Sequence, residues 1–365
     1  MPNPSLIVAC DGGGMRGLIT AMLLDDLQKR TGFLPNVTLF TGTSTGSFIA
    51  LGLASGRVTT SDMISLYEQD GEKIFTPYTP PSGVTSPAVR RIAASRGAEA
   101  LSFDPCSWVS GMCYAMYMND PASPLYATLS ALLTGSSGAP LTLAELKTPA
   151  VVTTSVLWDA GRKAWAPALV GNLPGTQYGS MPAVDAALSS GAAPIYFPPY
   201  WNDTLGSFCA DGGMFANNPA SVGVTALLLS GTITVAELGE VRLLSLGTGV
   251  VQNGMPPSYI NGSVGGAQNM GILQWFASLG NPVPSEALIG LMFDAVSDID
   301  SIQMQALLGS AFQRPQGPVL TQPYALNDWK DYQTLVGVTN DYIQGVNGQP
   351  RDWASVVEWV GANFT

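Results

Sequence analysis

The apolar positions of this chain change period as the sequence advances. Residues 6–10, Leu-Ile-Val-Ala-Cys, form an unbroken apolar run that stops at Asp11 and three glycines, the pattern of a buried strand entering a tight turn. The spacing then switches. Leu18, Ile19, Met22, Leu23 and Leu27 recur at helical intervals, and Gly32 stands where such a helix would stop. The cycle repeats at once, with residues 37–40 reading as strand, 41–45 as turn and 46–55 as helix. Strand, glycine turn and helix in repetition predict a parallel sheet in an α/β layer fold. Apolar runs at 150–157 and 241–246 predict further buried strands, and a helix is expected after Pro219. Between residues 75 and 133 the chain is rich in Pro, Trp, Met and Tyr without a regular period, which suits loops and short helices over a site. The tail returns to helical spacing at Tyr332, Leu335, Val336 and Thr339, and again at Trp353, Val356, Val357 and Val360. No linker-like stretch or internal repeat interrupts this order. One domain is therefore expected over residues 1–365, with its core motifs in 6–249 and a helical C-terminal part, 250–365, packed on it.

Composition narrows the class. Of the 365 residues, 46% are apolar and 11% are charged, so a large core is available and the surface relies on neutral polar side chains. The balance of 15 basic against 26 acidic residues gives a net charge of -11, which would repel a phosphate backbone and disfavours nucleic acid as a partner. The apolar burst at the N-terminus is too short for a signal peptide and lacks a basic start, and the long uncharged stretches are broken by Gly, Pro or Asn. A cytoplasmic protein without a spanning segment is the expectation, with peripheral contact to lipid left open. Cys10, Cys106, Cys113 and Cys209 form no CxxC pair, and buried free thiols are expected.

The chain contains no histidine, yet it carries Gly42-Thr-Ser44-Thr-Gly46 between a predicted strand and a predicted helix. That is the setting of a nucleophile elbow, but a Ser-His-Asp triad is excluded. A serine hydroxyl needs a positioned base, which here must be a carboxylate or a lysine. A second element, Asp11-Gly12-Gly13-Gly14-Met15-Arg16-Gly17, offers backbone N–H donors that could face an oxyanion. The same residues fit a dinucleotide fingerprint, but no carboxylate lies within residues 32–45, where that motif needs one. A third element is Asp211-Gly212-Gly213; met alone, such a triplet reads as a turn.

The three elements in this order resemble the patatin-like phospholipase family. Residues 192–199, Ala-Ala-Pro-Ile-Tyr-Phe-Pro-Pro, are similar to the family's apolar segment before the Asp motif. Residues 244–249, Leu-Ser-Leu-Gly-Thr-Gly, are similar to its later core strand and turn. The resemblance implies a three-layer α/β/α fold with a mostly parallel central sheet and a Ser-Asp dyad that needs no cofactor and no metal. Carried over by residue, it implies Ser44 as nucleophile, Asp211 as general base and the amides of Gly12, Gly13 and Gly14 as the oxyanion hole. Gly17, Gly42, Gly46, Gly212 and Gly213 complete the motifs, and Arg16 takes a basic position that supports the glycine loop or attracts a polar head group. Met15 stands where the family carries Ile or Val. The activity implied is lipid acyl hydrolysis through an acyl-enzyme, with a lipid acyl ester as substrate partner. A carboxylesterase for small soluble esters and a silent lipid-binding module are the alternatives, and head group and oligomeric state stay open. Residues 108–118, dense in Trp, Met and Tyr, are expected to wall an acyl pocket or form a mobile cover, with ordinary core packing as the alternative, and residues 194–201 to offer an exposed surface for aggregated lipid.

Overall fold

The computed structural model describes residues 4–79, 115–135, 138–251, 254–271, 274–275, 287–321 and 324–364. Strand β1 (Ser5–Cys10) occupies the middle of the main sheet, paired in parallel with β2 (Leu39–Gly42) on one side and β7 (Val241–Leu246) on the other. Between β1 and β2 runs α1 (Gly17–Thr31), closed by Gly32 in the left-handed conformation at φ 68°. Strand β2 begins two residues later than its apolar run suggests. A turn of 3-10 helix (Leu34–Asn36) takes the Val37 N–H for its own Leu34 carbonyl, so the strand starts at Leu39. Helix α2 (Thr45–Ala54) follows β2 directly, and α3 (Thr60–Ile74) and α4 (Pro124–Leu132) pack on the same side.

The split of side chains along β1 shows why the fold has three layers. Leu6, Val8 and Cys10 belong to a core shared with α1, α2 and α3, whereas Ile7 and Ala9 belong to a second core on the opposite face. Alternate residues of a strand point to opposite faces, so an unbroken apolar run requires cover on both. The second face is covered by α6 (Ala220–Leu229) and α7 (Ala287–Leu308) through residues such as Val224, Leu227 and Met304. The C-terminal helices α8 (Tyr332–Gln344) and α9 (Trp353–Asn363) return to the first face, where Leu335, Tyr342, Trp353 and Val356 join the core of α1.

The rest of the sheet departs from the parallel pattern that the sequence predicts. Strand β3 (Ala150–Asp159) is parallel to β2, then doubles back as β4 (Ala164–Gly171), and α5 (Ala183–Ser190) leads to a hairpin of β5 (Tyr200–Asn202) and β6 (Ser207–Asp211). Strand β4 pairs with β3 from Val151 to Asp159 and so fills one edge of it. Strand β2, opposite Ala150–Val152, and strand β6, opposite Thr154–Val156, must therefore share the other edge. They run in opposite directions along it, and their C-terminal ends meet head on. Two-residue ladders add β9 (Phe312–Gln313) beside β7 and pair β8 (Val250–Val251) with β10 (Val319–Leu320). Among the described residues, no helix is long and apolar enough to cross a membrane. Cys10 and Cys209 are buried free thiols, while Cys106 and Cys113 lie outside the described residues.

Candidate active site

The meeting of β2 with β6 brings Ser44 and Asp211 together. Gly42 is opposite Val152 and Asp211 is opposite Thr154, two positions further along the same edge, a step of about 7 Å. The gap is bridged by hydroxyls: Thr43 Oγ1 and Thr153 Oγ1 lie 2.7 Å apart, and the Thr43 hydroxyl also reaches the Ala216 carbonyl at 2.6 Å.

Ser44 sits between β2 and α2 with φ 53° and ψ -126°, a conformation that L-residues rarely adopt and that costs on the order of 1–3 kcal/mol. The flanking glycines make this turn sterically feasible. A Cβ on Gly42 would collide with the Gly46 carbonyl, and one on Gly46 would collide with the Cys10 carbonyl of β1. The Ser44 N–H is held by the Ser190 hydroxyl at 2.9 Å, at the C-terminal end of α5. Thr45 is the first residue of α2, so its N–H is one of the helix-terminal donors without an intrahelical acceptor.

Asp211 ends β6 and is fully buried. Its N–H donates to the Ala192 carbonyl at 2.9 Å, and its Oδ1 accepts the Gly213 N–H at 2.6 Å. Oδ2 has no regular hydrogen-bond partner among the described residues. Burial pushes the carboxyl up to about 7, against the Ser44 hydroxyl and the Gly213 N–H, which hold it down. The Ser44 contact is thus present but loose, as contacts of this kind commonly are before substrate binds. A carboxyl near 7 is half ionised at neutrality, a far better proton acceptor than an ordinary aspartate. Gly212 fits because a Cβ there would overlap the Thr153 hydroxyl.

The glycine loop lies across the same end of the sheet. The Asp11 N–H donates to the Leu246 carbonyl at 3.1 Å, and the Gly12 N–H is engaged by the Asn217 carbonyl at 3.0 Å. Met15 N–H donates to the Leu326 carbonyl at 2.8 Å. The amides of Gly13 and Gly14 make no backbone hydrogen bond among the described residues, and Gly14 has φ 57°. Gly17 lets α1 pass close to Thr45 and Tyr67, within 2.5 Å of where its Cβ would be. Two free glycine amides and the Thr45 amide are thus the donors that this end of the sheet offers.

Arg16 is half-buried and forms no ion pair among the described residues; burial lowers its pKa while Asp294, Asp11 and Tyr196 raise it. It faces a polar cavity of about 240 Å³ behind the glycine loop, lined also by Asp11, Asn217, Asp294 and Arg314. Sequence reasoning missed Arg314. Its two terminal nitrogens grip the Asp11 carboxylate, Nη1 to Oδ1 at 2.8 Å and Nη2 to Oδ2 at 2.5 Å, and Nη1 also donates to Ser245. Nothing local to residue 314 signals this, because its partner is 303 positions away.

On the other side of the loop, Ser44 opens on a cavity of about 30 Å³ walled by Phe48, Tyr67, Ile74, Phe75, Tyr196 and Phe197. That is room for about one methylene-sized group. Of the expected wall at 108–118, Trp108, Met112 and Tyr114 lie outside the described residues. Tyr117 packs behind the cavity, with ring centroids 5.2 Å from Phe75 and 5.7 Å from Phe197. Among the described residues there is no cluster of His, Cys, Asp and Glu that could hold a metal ion.

Known proteins are similar to this chain over much of its length. A cGAMP-activated phospholipase of Vibrio cholerae is 28% identical over 73% of this chain and 72% of its own length. A second, from Pseudomonas aeruginosa, is 30% identical over 66% of this chain and 62% of its own. Among solved structures, VipD from Legionella pneumophila aligns with 93% of this chain and 67% of its own at 14% identity, with a TM-score of 0.37. The sequence model of the patatin-like phospholipases matches residues 8–224, which run from the second half of β1 through the glycine loop and Ser44 to beyond Asp211, and the chain belongs to the patatin-like phospholipase family.

Proposed function

We propose that the protein is a lipid acyl hydrolase in which Ser44 and Asp211 act as a catalytic dyad through an acyl-enzyme. The observation that carries this reading is the pairing of a strained Ser44 that lines a cavity with a buried Asp211 whose carboxyl is raised to about 7. The Ser44 oxygen attacks the ester carbonyl carbon while its proton passes to Asp211. Negative charge then develops on the carbonyl oxygen, where the Gly13, Gly14 and Thr45 amides stabilise it; Gly12, its own N–H engaged, holds the loop in place. Collapse breaks the ester bond, and the departing alcohol takes the proton from Asp211. Water then gives a proton to Asp211 and attacks the acyl-Ser44 ester. The second collapse returns the proton to Ser44 and frees the fatty acid. Position compensates for the modest basicity of a carboxylate, because strand register keeps acceptor and hydroxyl at one end of the sheet and substrate binding has only to tighten their contact.

A fluorophosphonate probe followed by peptide mapping tests the nucleophile. Labelling of Ser44 that disappears in Ser44→Ala, together with release of fatty acid from a mixed lipid panel by the unsubstituted protein, supports the reading. Labelling of another serine, or lipid turnover that survives Ser44→Ala, rejects it.

A further inference from the structure

The polar sheet end that carries Ser44 continues outward into a surface with unusual exposure. Beyond its last pairing with β2 at Val152, strand β3 projects seven residues to Asp159, and the hairpin of β5 and β6 lies alongside this extension. Four large aromatics stand exposed on these neighbouring strands: Trp165 at 82%, Trp158 at 57%, Phe208 at 51% and Trp201 at 48%. Trp201 and Phe208 are register partners across β5 and β6, with ring centroids 5.1 Å apart in an edge-to-face contact. Trp158 adjoins β6 through its N–H, which donates to the Ser207 hydroxyl at 3.2 Å. On the other edge of β3, Trp165 of β4 lies within the bulge between Val156 and Asp159. The residues therefore form a stripe across β5, β6, β3 and β4. Of the segment 194–201 expected to face lipid, Tyr196, Phe197 and Tyr200 are buried, and Trp201 is the large side chain that reaches the surface.

We infer that this stripe is a docking surface for a phospholipid bilayer, and that it seats the Ser44 end of the sheet against the lipid. Three observations select this occupant. The first is side-chain chemistry: tryptophan pairs a broad apolar ring with an N–H donor and suits the boundary between acyl chains and head groups. The second is charge. Arg162 and Lys163 are exposed in the turn between β3 and β4, where they can meet lipid phosphates, although the chain as a whole carries -11. Two carboxylates share this surface and are turned inward to local donors, Asp159 accepting the Arg162 backbone N–H at 2.7 Å and Asp203 accepting the Trp201 indole N–H at 2.7 Å, so the mixed charge suits a zwitterionic lipid. The third is position. Phe208 is three residues before Asp211 on β6, about 10 Å along the strand, so the stripe lies on the strands that end at Asp211. The inference rests on the lipid reading above, and it adds how the substrate surface is met.

The experiment uses the full chain with sucrose-loaded phosphatidylcholine vesicles and compares it with the triple variant Trp158→Thr, Trp165→Thr, Trp201→Thr. Threonine keeps strand propensity, and all three side chains are exposed. The expected result is at least a tenfold weaker partitioning to vesicles and a similar loss of turnover on vesicular lipid, with hydrolysis of a monomeric short-chain ester unchanged. Should the triple variant not fold, Trp165→Thr alone is expected to weaken partitioning about threefold. Equal partitioning of variant and unsubstituted protein overturns the inference. So does a dimer, seen by sedimentation equilibrium, that the triple variant dissolves while neither form binds vesicles. If neither form cleaves any ester but vesicle binding still depends on the tryptophans, the docking surface stands and the hydrolase reading falls.

Discussion

Replacing Asp211 by asparagine should make the protein more stable at neutral and alkaline pH while disabling it. The carboxyl titrates near 7 in the folded chain against a reference of 3.8, because burial penalises its charged form. A shift of about 3 units corresponds to about 4 kcal/mol held against the folded state when both states are ionised. The sign follows from which state binds the proton. Below about pH 4 both states are protonated and the group costs nothing. Between about pH 4 and 7 the folded state keeps a proton that the unfolded chain has released, so stability falls as pH rises; above 7 the full cost is present. Asparagine carries no such cost. Its side-chain oxygen can accept the Gly213 N–H as Asp211 Oδ1 does. Urea unfolding of both proteins from pH 5 to pH 8 should show the stability advantage of Asp211→Asn growing by about 2.5 kcal/mol across that interval. Ester turnover of the variant should fall at least about 100-fold. A gap independent of pH, or a variant less stable than its parent at pH 8, would refute the buried-carboxylate argument. Near-native turnover would refute the dyad.

The remaining expectations test other parts of the site. Turnover by the unsubstituted protein should rise with pH through about 7, as Asp211 loses its proton, and a rate profile flat between pH 5.5 and 8.5 would contradict the assigned base. Ser44→Gly should abolish fluorophosphonate labelling yet raise stability by about 1 kcal/mol in thermal melts, since glycine adopts φ 53° without strain. Gly46→Ala should destabilise by about 3 kcal/mol, because the added methyl meets the backbone carbonyl of Cys10 and neither can move freely; a neutral effect in urea unfolding would count against the close approach of α2 to β1. Arg314→Gln leaves the Asp11 carboxylate buried without its ion-pair partner and should cost about 3–5 kcal/mol while that carboxyl is ionised, a loss that is larger at pH 8 than at lower pH because burial already raises its proton affinity and Arg314 opposes this. Urea titrations at pH 8 and at lower pH measure it.

What the sequence discloses and what it hides divide along the range of the interactions. Strand β1, helix α1 and its Gly32 stop, the strand-to-helix turn at Ser44 and strand β7 are all written in local period and in glycine placement, and the structure has them where the pattern puts them. The antiparallel extension is not legible in this way. Strands β4, β5 and β6 are short or interrupted by Pro167, and their partners, β3 for β4 and β6 and β6 for β5, are chosen by tertiary packing. Arg314 is hidden for the same reason, since a salt bridge to residue 11 leaves no periodic trace.

The antiparallel extension also explains how a motif becomes a site. Had β3 stopped at Val152 beside Gly42, β6 would have no edge to pair with and Asp211 no fixed position. Because β3 runs on to Asp159 and β4 occupies its other edge, β6 is forced into line with β2 and must point its C-terminus at Ser44. The same constraint seals the meeting point from water, which is why the carboxyl of Asp211 rises toward neutrality. Strand length therefore sets both the position of the carboxylate and its proton affinity. The base proposed for this site, which an isolated Asp-Gly-Gly triplet could not supply, depends on the register of one strand, and a change that shifts the pairing of β6 on β3 by a single residue would turn the Asp211 side chain to the opposite face of the sheet.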